Sequence, residues 1–300
     1  MKPILLTGIT GQLGQELQPI LAPLGKVIGL GRDKLNLAEP TQIRQVVREI
    51  KPDIIVNAGA YTAVDKAETD SELANSINAV APTILAEEAG QLGARLIHIS
   101  TDYVFDGEKN TPYTEEDYTN PINVYGKSKL GGEEGIRQTA LNTGGELDYV
   151  IIRTAWVYGT YGKGNFVKTM LRLGKEREEI RVVADQVGTP TWTKDIAEAI
   201  AKILSFKSPV PTRIYHFTNS GVASWYDFAV AIFEEAKLLG FPLKVEKIVP
   251  ISTPEYPTPA KRPAYSVLST KKISTVLENH PPHWRQGLRN MLQQLKSRPK

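Results

Sequence analysis

The sequence predicts an α/β protein: a doubly wound parallel sheet with a smaller mixed α/β lobe. Three observations predict it. Short, fully apolar runs alternate with longer segments of helical period through the first half. The first run ends in a glycine-rich turn that opens a helix. After residue 153 the alternation loosens and shorter elements are mixed with proline and glycine.

The buried strands are expected at residues 4–7, 26–30, 53–57, 95–100 and 149–153. Helical spacing fills the gaps, over residues 12–21, 40–50, 71–92 and 123–139. Strand–helix–strand repetition with apolar strands places helices on both faces of a parallel sheet, joined by right-handed crossovers. In the second half, helices are expected at 165–173, 194–204 and 225–238, and strands at 180–184 and 214–217. Residues 250–263 hold five prolines among PISTPEYPTPAKRP and read as an extended surface loop, since proline removes a backbone donor and fixes φ. The division is a nucleotide-binding part, 1–153, and a mainly substrate-binding part, 154–300, with a soft boundary that the chain can cross more than once.

Composition narrows the function. A chain of 300 residues is long enough for a core without staples. It has no cysteine, which excludes disulfides, thiolate metal sites and a cysteine nucleophile. The net charge is +3 and no run of like charge reads as a nucleic-acid arm or membrane anchor. No leader-like segment or membrane-length apolar stretch stands out, so a cytoplasmic protein is expected. Both monomer and homodimer are open.

Gly8-Ile9-Thr10-Gly11-Gln12-Leu13-Gly14 joins the first strand to the first helix. One glycine allows the tight turn, a second lets the backbone approach a pyrophosphate, and a third lets helix and sheet pack closely. The helix N-terminus offers free N–H groups to phosphate. At the end of the second strand Gly31 stands where an acid would hold a ribose hydroxyl, and Arg32 follows it. That pair points to NADPH, and Asp33 keeps NADH open. Asn57-Ala58-Gly59-Ala60 follows the third strand with small residues that leave room for a cofactor.

Tyr125 and Lys129 lie four residues apart on one face of a helix. Carbonyl reduction needs a proton donor for the oxygen. A phenol is sluggish near neutrality unless a neighbouring ammonium lowers its pKa, which is the role expected for Lys129. Thr101, at the C-terminal end of the fourth strand, can donate a hydrogen bond to the carbonyl. Asn78 sits where a helix asparagine can join a proton relay, or where it is only a distorting polar residue.

These segments resemble the dTDP-4-dehydrorhamnose reductase family of extended short-chain dehydrogenases, which has a Rossmann-like fold. The likeness runs through residues 11–14, 57–68, 100–107, 123–133, 153–159, 164–171 and 256–263. It implies NAD(P)H-dependent reduction at C4 of dTDP-4-dehydro-L-rhamnose, giving dTDP-L-rhamnose for cell-surface polysaccharide. It implies Tyr125 as acid, Lys129 as modulator and Thr101 as polariser, with Asp102 holding the sugar and Trp156 lying against its ring. Read alone, Trp156 is a packing residue. The resemblance extends the cofactor wall of Gly8, Gly11, Gly14, Arg32, Ala58, Gly59 and Ala60 to Gln12, Leu13, Asn36, Leu37 and Thr62. Lys168, Lys261 and Arg262 become candidates for the diphosphate or thymidine, against plain surface charge. Magnesium near a subunit contact is a further implication, with Glu16 as a ligand. Three other readings compete. A 4,6-dehydratase would carry Asp-Glu after the strand-end threonine, whereas here Thr101-Asp102-Tyr103 lacks the second carboxylate; a 4-epimerase shares the fold. A non-catalytic, dinucleotide-binding regulatory subunit of methionine adenosyltransferase can keep most of the same motifs.

Overall fold

The computed structural model describes residues 2–206 and 213–298. The alternation begins with β1 (Pro3–Thr7), α1 (Gln12–Leu21), β2 (Lys26–Leu30), α2 (Pro40–Ile50) and β3 (Ile54–Asn57). Two short helices follow, α3 (Val64–Ala67) and α4 (Ser71–Asn75), then a π turn (Ser76–Val80) and α5 (Ala81–Leu92). β4 (Arg95–Thr101) runs into a 3-10 turn at Asp102–Val104, followed by α6 (Val124–Asn142) and β5 (Tyr149–Thr154).

The chain then leaves the sheet through β6 (Val157–Tyr158), α7 (Phe166–Glu176), β7 (Glu179–Val183), β8 (Val187–Gly188) and β9 (Thr191–Trp192). It returns with α8 (Thr193–Ser205) and β10 (Ile214–His216). It leaves again through β11 (Ala223–Ser224), α9 (Trp225–Leu238) and β12 (Lys247–Ile251), ending in α10 (Lys271–Leu277) and α11 (Trp284–Ser297).

Six strands pair in the order β10-β5-β4-β3-β1-β2, all parallel. The order reverses between β1 and β3, so a crevice opens at their C-terminal ends, where ligands bind in such sheets. Successive β1 residues feed opposite cores. Ile4 and Leu6 meet Leu13, Leu17 and Leu21 of α1 and Ile196, Ile200 and Ile203 of α8. Leu5 meets Ile43 and Val47 of α2, Leu85 of α5 and Ile136 of α6. Each such buried aliphatic side chain contributes about 1.5–3 kcal/mol. The smaller lobe packs α7, α9 and α11 around Phe228, Ile232, Phe233, Leu288 and Met291. Its helix α9 starts from a capping box made by Ser224 and Asp227. Among the described residues no helix is long and apolar enough to cross a membrane.

Two predicted segments differ. Residues 71–92 form a helical path interrupted by the π turn, because Asn78 in that turn is drawn to distant partners. The predicted loop at 250–263 begins inside β12, where Pro250 pairs with Val182 of β7. Among the described residues β12 has only that one partner strand, so a proline N without hydrogen costs little on its open edge.

Candidate active site

A cleft of about 940 Å³ lies over the C-terminal ends of the central strands. One wall is built by the turns after β1 and β3. Gly8 has φ +69°, and a Cβ there would stand 2.7 Å from Cα of Gly59, so the two turns touch backbone to backbone. Gly11 caps α1 with extended backbone and no side-chain cap, leaving the first N–H groups of the helix to the cleft. Gly14 lies behind this wall: a Cβ would meet the Gly8 carbonyl at 2.2 Å. Gly8, Gly11, Gln12, Leu13, Arg32, Asn36, Leu37, Ala58, Gly59, Ala60 and Thr62 line the cleft, and Gly14 does not. This cradle, free of Cβ atoms where the turns meet, fits a dinucleotide pyrophosphate. Arg32 is exposed beside Gly31, over which the Asp33 carboxylate folds.

Under the cleft runs a buried polar chain. Thr7 Oγ1 accepts from Gly59 N at 3.1 Å and donates to Asn57 Oδ1 at 2.7 Å. Asn57 Nδ2 lies 3.0 Å from His98 Nδ1. Lys129 Nζ donates to the Ile99 carbonyl at 2.6 Å and stands 3.4 Å from His98 Nε2. Burial pushes the Lys129 pKa down to about 8, with Glu133 opposing. Burial, then the Lys129 charge, holds His98 well below its ordinary value.

Tyr125 and Lys129 project from the first turns of α6. Its N-cap Asn123 accepts from Gly126 N at 2.7 Å and donates to the Lys261 carbonyl at 2.8 Å. One turn beyond Lys129, Glu133 forms a buried ion pair with Arg153 at 2.6 Å and accepts from Ser100 Oγ at 2.5 Å, tying α6 to β4 and β5. Thr101 Oγ1 accepts from Tyr103 N at 3.2 Å and donates to Asp102 Oδ1 at 3.0 Å. Asp102 is buried, and its carboxyl is raised to about 6 by burial, against hydrogen bonds from Ser266 and Thr101. Tyr125 is hydrogen-bonded to Thr101. Its pKa is pushed up to about 12 by burial, against the hydrogen bond from Thr101, with the Asp102 charge adding to the rise. A lysine-lowered phenol was expected. The ammonium of Lys129 is given to the Ile99 carbonyl instead.

The smaller lobe supplies the opposite wall. Trp156 takes φ 47°, an uncommon conformation for a bulky residue, and stacks on Trp225 with ring centroids 3.5 Å apart and planes 4° off parallel. Phe166 packs beside Trp225 at 4.6 Å. Lys163 and Lys66 also line the cleft. Lys168 does not: its Nζ donates to the carbonyls of Tyr161 and Gly162, at 3.0 and 2.9 Å, and so pins the turn that carries Lys163. Arg262 is engaged by Asp65 through two hydrogen bonds, at 3.0 and 2.8 Å, and lies outside the lining, as does Lys261. Sequence reasoning did not single out Trp225, Phe166, Tyr103, Lys163 or Lys66. An aromatic next to a capping box was the available signal for Trp225.

Asn78 is a clasp. Its amide accepts from Tyr61 N and donates to the Tyr61 carbonyl and Ser128 Oγ, at 2.9, 3.0 and 3.0 Å. Glu16 is buried between α1 and α8 with Oε1 unpartnered, and burial raises its pKa. Among the described residues no group of three or more His, Cys, Asp or Glu side chains could hold a metal. The residues present around Glu16 therefore do not make a magnesium site within this chain.

Residues 1–297 match the family model described as RmlD substrate binding domain. The chain is 45% identical over 290 residues to a dTDP-4-dehydrorhamnose reductase of Burkholderia thailandensis, covering 94% of this chain and 95% of that one. It is 44% identical over 299 residues to a dTDP-4-dehydrorhamnose reductase of Escherichia coli K12, covering 97% of each. A crystal structure of the Bacillus anthracis dTDP-4-dehydrorhamnose reductase in complex with NADP superposes with a TM-score of 0.88 at 39% identity, over 98% of this chain and 99% of that one.

Proposed function

The chain belongs to the dTDP-4-dehydrorhamnose reductase family, and from that premise we propose that it reduces the C4 keto group of dTDP-4-dehydro-L-rhamnose with NADPH. The observation that carries this reading is one of placement. Thr101, Tyr125 and Lys129 face the same cleft as the Gly8–Gly59 cradle. NADPH is preferred because Gly31 offers no carboxylate at the strand end and exposed Arg32 stands ready for a 2′-phosphate. The Bacillus anthracis relative, bound to NADP, supports that choice.

A bound nicotinamide supplies the hydride. Tyr125 donates its phenolic proton to the C4 oxygen. With its pKa pushed up, it holds that proton across the neutral range and releases it only to an oxygen gaining charge. Lys129, still largely charged near neutrality, shares the helix face of Tyr125 and stabilises the phenolate once it turns from the Ile99 carbonyl. Thr101 polarises the carbonyl. Trp156, backed by Trp225 and Phe166, gives the deoxy sugar an apolar wall. Lys163 and Lys66 are the cleft-facing cations for the diphosphate, with Lys168 and Arg262 holding the backbone behind them. The cofactor part is residues 1–153 joined by α8 and β10, and the substrate part is the remainder of 154–300.

The test follows absorbance loss of NADPH and NADH with freshly made dTDP-4-dehydro-L-rhamnose. Sugar-dependent oxidation, faster with NADPH, is expected. Folded protein that binds cofactor and oxidises neither would favour the regulatory-subunit reading.

A further inference from the structure

The loop of residues 159–165, between β6 and α7, carries Lys163 into the cleft, and it is fastened from the opposite wall. Gln12 is the first residue of α1, in the turn that cradles a dinucleotide, yet its side chain is turned to the smaller lobe. Its Nε2 donates to the Val157 carbonyl at 3.1 Å, and its Oε1 accepts from Asn165 Nδ2 at 3.2 Å. Asn165 also donates to the Gly159 carbonyl at 2.8 Å and caps α7 by accepting from Lys168 N at 3.0 Å. Gly162 takes φ +72°, and a Cβ there would stand 3.1 Å from Gln12 N, so the loop comes up against the backbone that offers its N–H to phosphate. On its far side the loop is held at the end of the chain. Thr160 Oγ1 donates to Gln294 Oε1 at 2.7 Å, and Arg298 donates to the Thr160 carbonyl at 3.2 Å and lies over the Tyr161 ring. Lys163 itself is exposed and has no hydrogen bond or ion pair among the described residues.

We propose that Gln12 is a positioning residue that joins two binding events: its side chain fastens the Lys163 loop to the cofactor turn, so that a bound dinucleotide raises the affinity of the cleft for a nucleoside diphosphate sugar. The proposal rests on the nucleotide-sugar reading above and names how that site is completed. Gly11 has no side chain to cap α1, so a phosphate on the free N–H groups is what fixes its first turn. Fixing that turn fixes the direction in which Gln12 leaves the helix. Through Val157 and Asn165 it fixes both ends of the loop. A lysine on a loop ordered beforehand loses less freedom when it meets a phosphate. The main chain of Gln12 faces the cofactor and its side chain serves the loop, so substitution can separate the two. Linkage makes the effect reciprocal: the nucleoside diphosphate tightens the dinucleotide by the same factor.

The experiment titrates dTDP into the protein by calorimetry, with and without saturating NADPH. The Kd without NADPH divided by the Kd with it is the coupling factor. Wild type should give about tenfold. Gln12→Met keeps the backbone N–H and the reach of the side chain but neither polar contact, and should bring the factor to within about twofold of one. Lys163→Ala should do the same and weaken dTDP in the NADPH complex. The double variant should bind dTDP in that complex no more weakly than Lys163→Ala, because Gln12 acts through Lys163. A residue that only shapes the helix would leave the factor in place or add its loss to that of Lys163→Ala. A wild-type factor within about twofold of one, a Gln12→Met that keeps the wild-type factor, or an additive double variant overturns the proposal. If Gln12→Met no longer binds NADPH, Asn165→Ser decides. Serine still caps α7 but is too short to reach Gln12, so a factor near one supports the clasp and a wild-type factor refutes it. A wild type that binds NADPH and not dTDP refutes the nucleotide-sugar reading itself, and the proposal with it.

Discussion

Replacing Asp102 by Asn removes a charge that the fold holds at a loss near neutrality. The folded-state pKa of about 6 lies above the ordinary 3.8. Between those values the native state binds more protons than the unfolded state. The stability associated with this group is therefore fully present below about pH 3.8 and is lost as pH rises through about 6. The gap of about 2.2 pH units, at about 1.4 kcal/mol each, sets the loss at roughly 3 kcal/mol at pH 7. An asparagine still buries a polar amide, so the gain from the substitution should be about 1–2 kcal/mol. Urea unfolding of both proteins, at about pH 7 and about pH 5, gives the measurement. Asp102→Asn should be the more stable at pH 7, and the difference should shrink at the lower pH. A variant less stable than wild type at pH 7, or a difference that ignores pH, would refute the idea that burial, with no cation to offset it, governs this carboxyl.

Three further outcomes follow from the geometry. Tyr125→Phe should lower kcat by about a hundredfold or more and leave the cofactor Kd within a few-fold, read by stopped-flow and fluorescence titration. Gly8→Val places a side chain within 2.7 Å of Gly59 at φ +69° and should abolish cofactor binding in calorimetry while circular dichroism still reports a folded sheet. Arg153→Leu strands the buried Glu133 carboxylate, which keeps only Ser100 as a hydrogen-bond partner among the described residues, and should cost about 3–5 kcal/mol in urea unfolding. The Glu133→Leu/Arg153→Leu pair should recover most of that loss.

What was legible in the sequence was what is local. Each strand of the first half is an apolar run bounded by a turn, and the glycines around Gly8 report a backbone approach by their type alone. Asn78 stood out only as a relay member or a distorting polar residue, and the π turn it sits in could not be read, because residues 71–92 have helical period throughout and the amide's partners lie 17 and 50 residues away. Lys168 and Arg262 were visible as charges, but the Asp65 that engages Arg262 stands 197 residues away in the sequence. Trp156 lies between β5 and β6 and its stacked partner on the distant helix α9, so neither its strained backbone nor Trp225's place beside it could be read from spacing. Pro250 was read as a loop because its lost N–H was weighed without knowing that β12 has an open edge.

The shifts at this site share one cause. Burial raises Tyr125 and Asp102, lowers Lys129 and holds His98 neutral, so every titratable group around Thr101 is pushed toward its uncharged form. A pocket that resists charge at each of these positions resists it on the substrate too. An alkoxide at C4, formed before its proton arrives, would be a charge set among groups that burial pushes toward neutrality, against a wall of Trp156, Trp225 and Phe166. The proton from Tyr125 should therefore move in the same step as the hydride. The primary isotope effect on kcat/KM with 4-deuterated NADPH should then be unchanged or larger in heavy water, since both hydrogens are in flight in one transition state. A primary effect that shrinks in heavy water would separate the two transfers. It would mean that Lys129 or Thr101 carries the alkoxide long enough for it to exist.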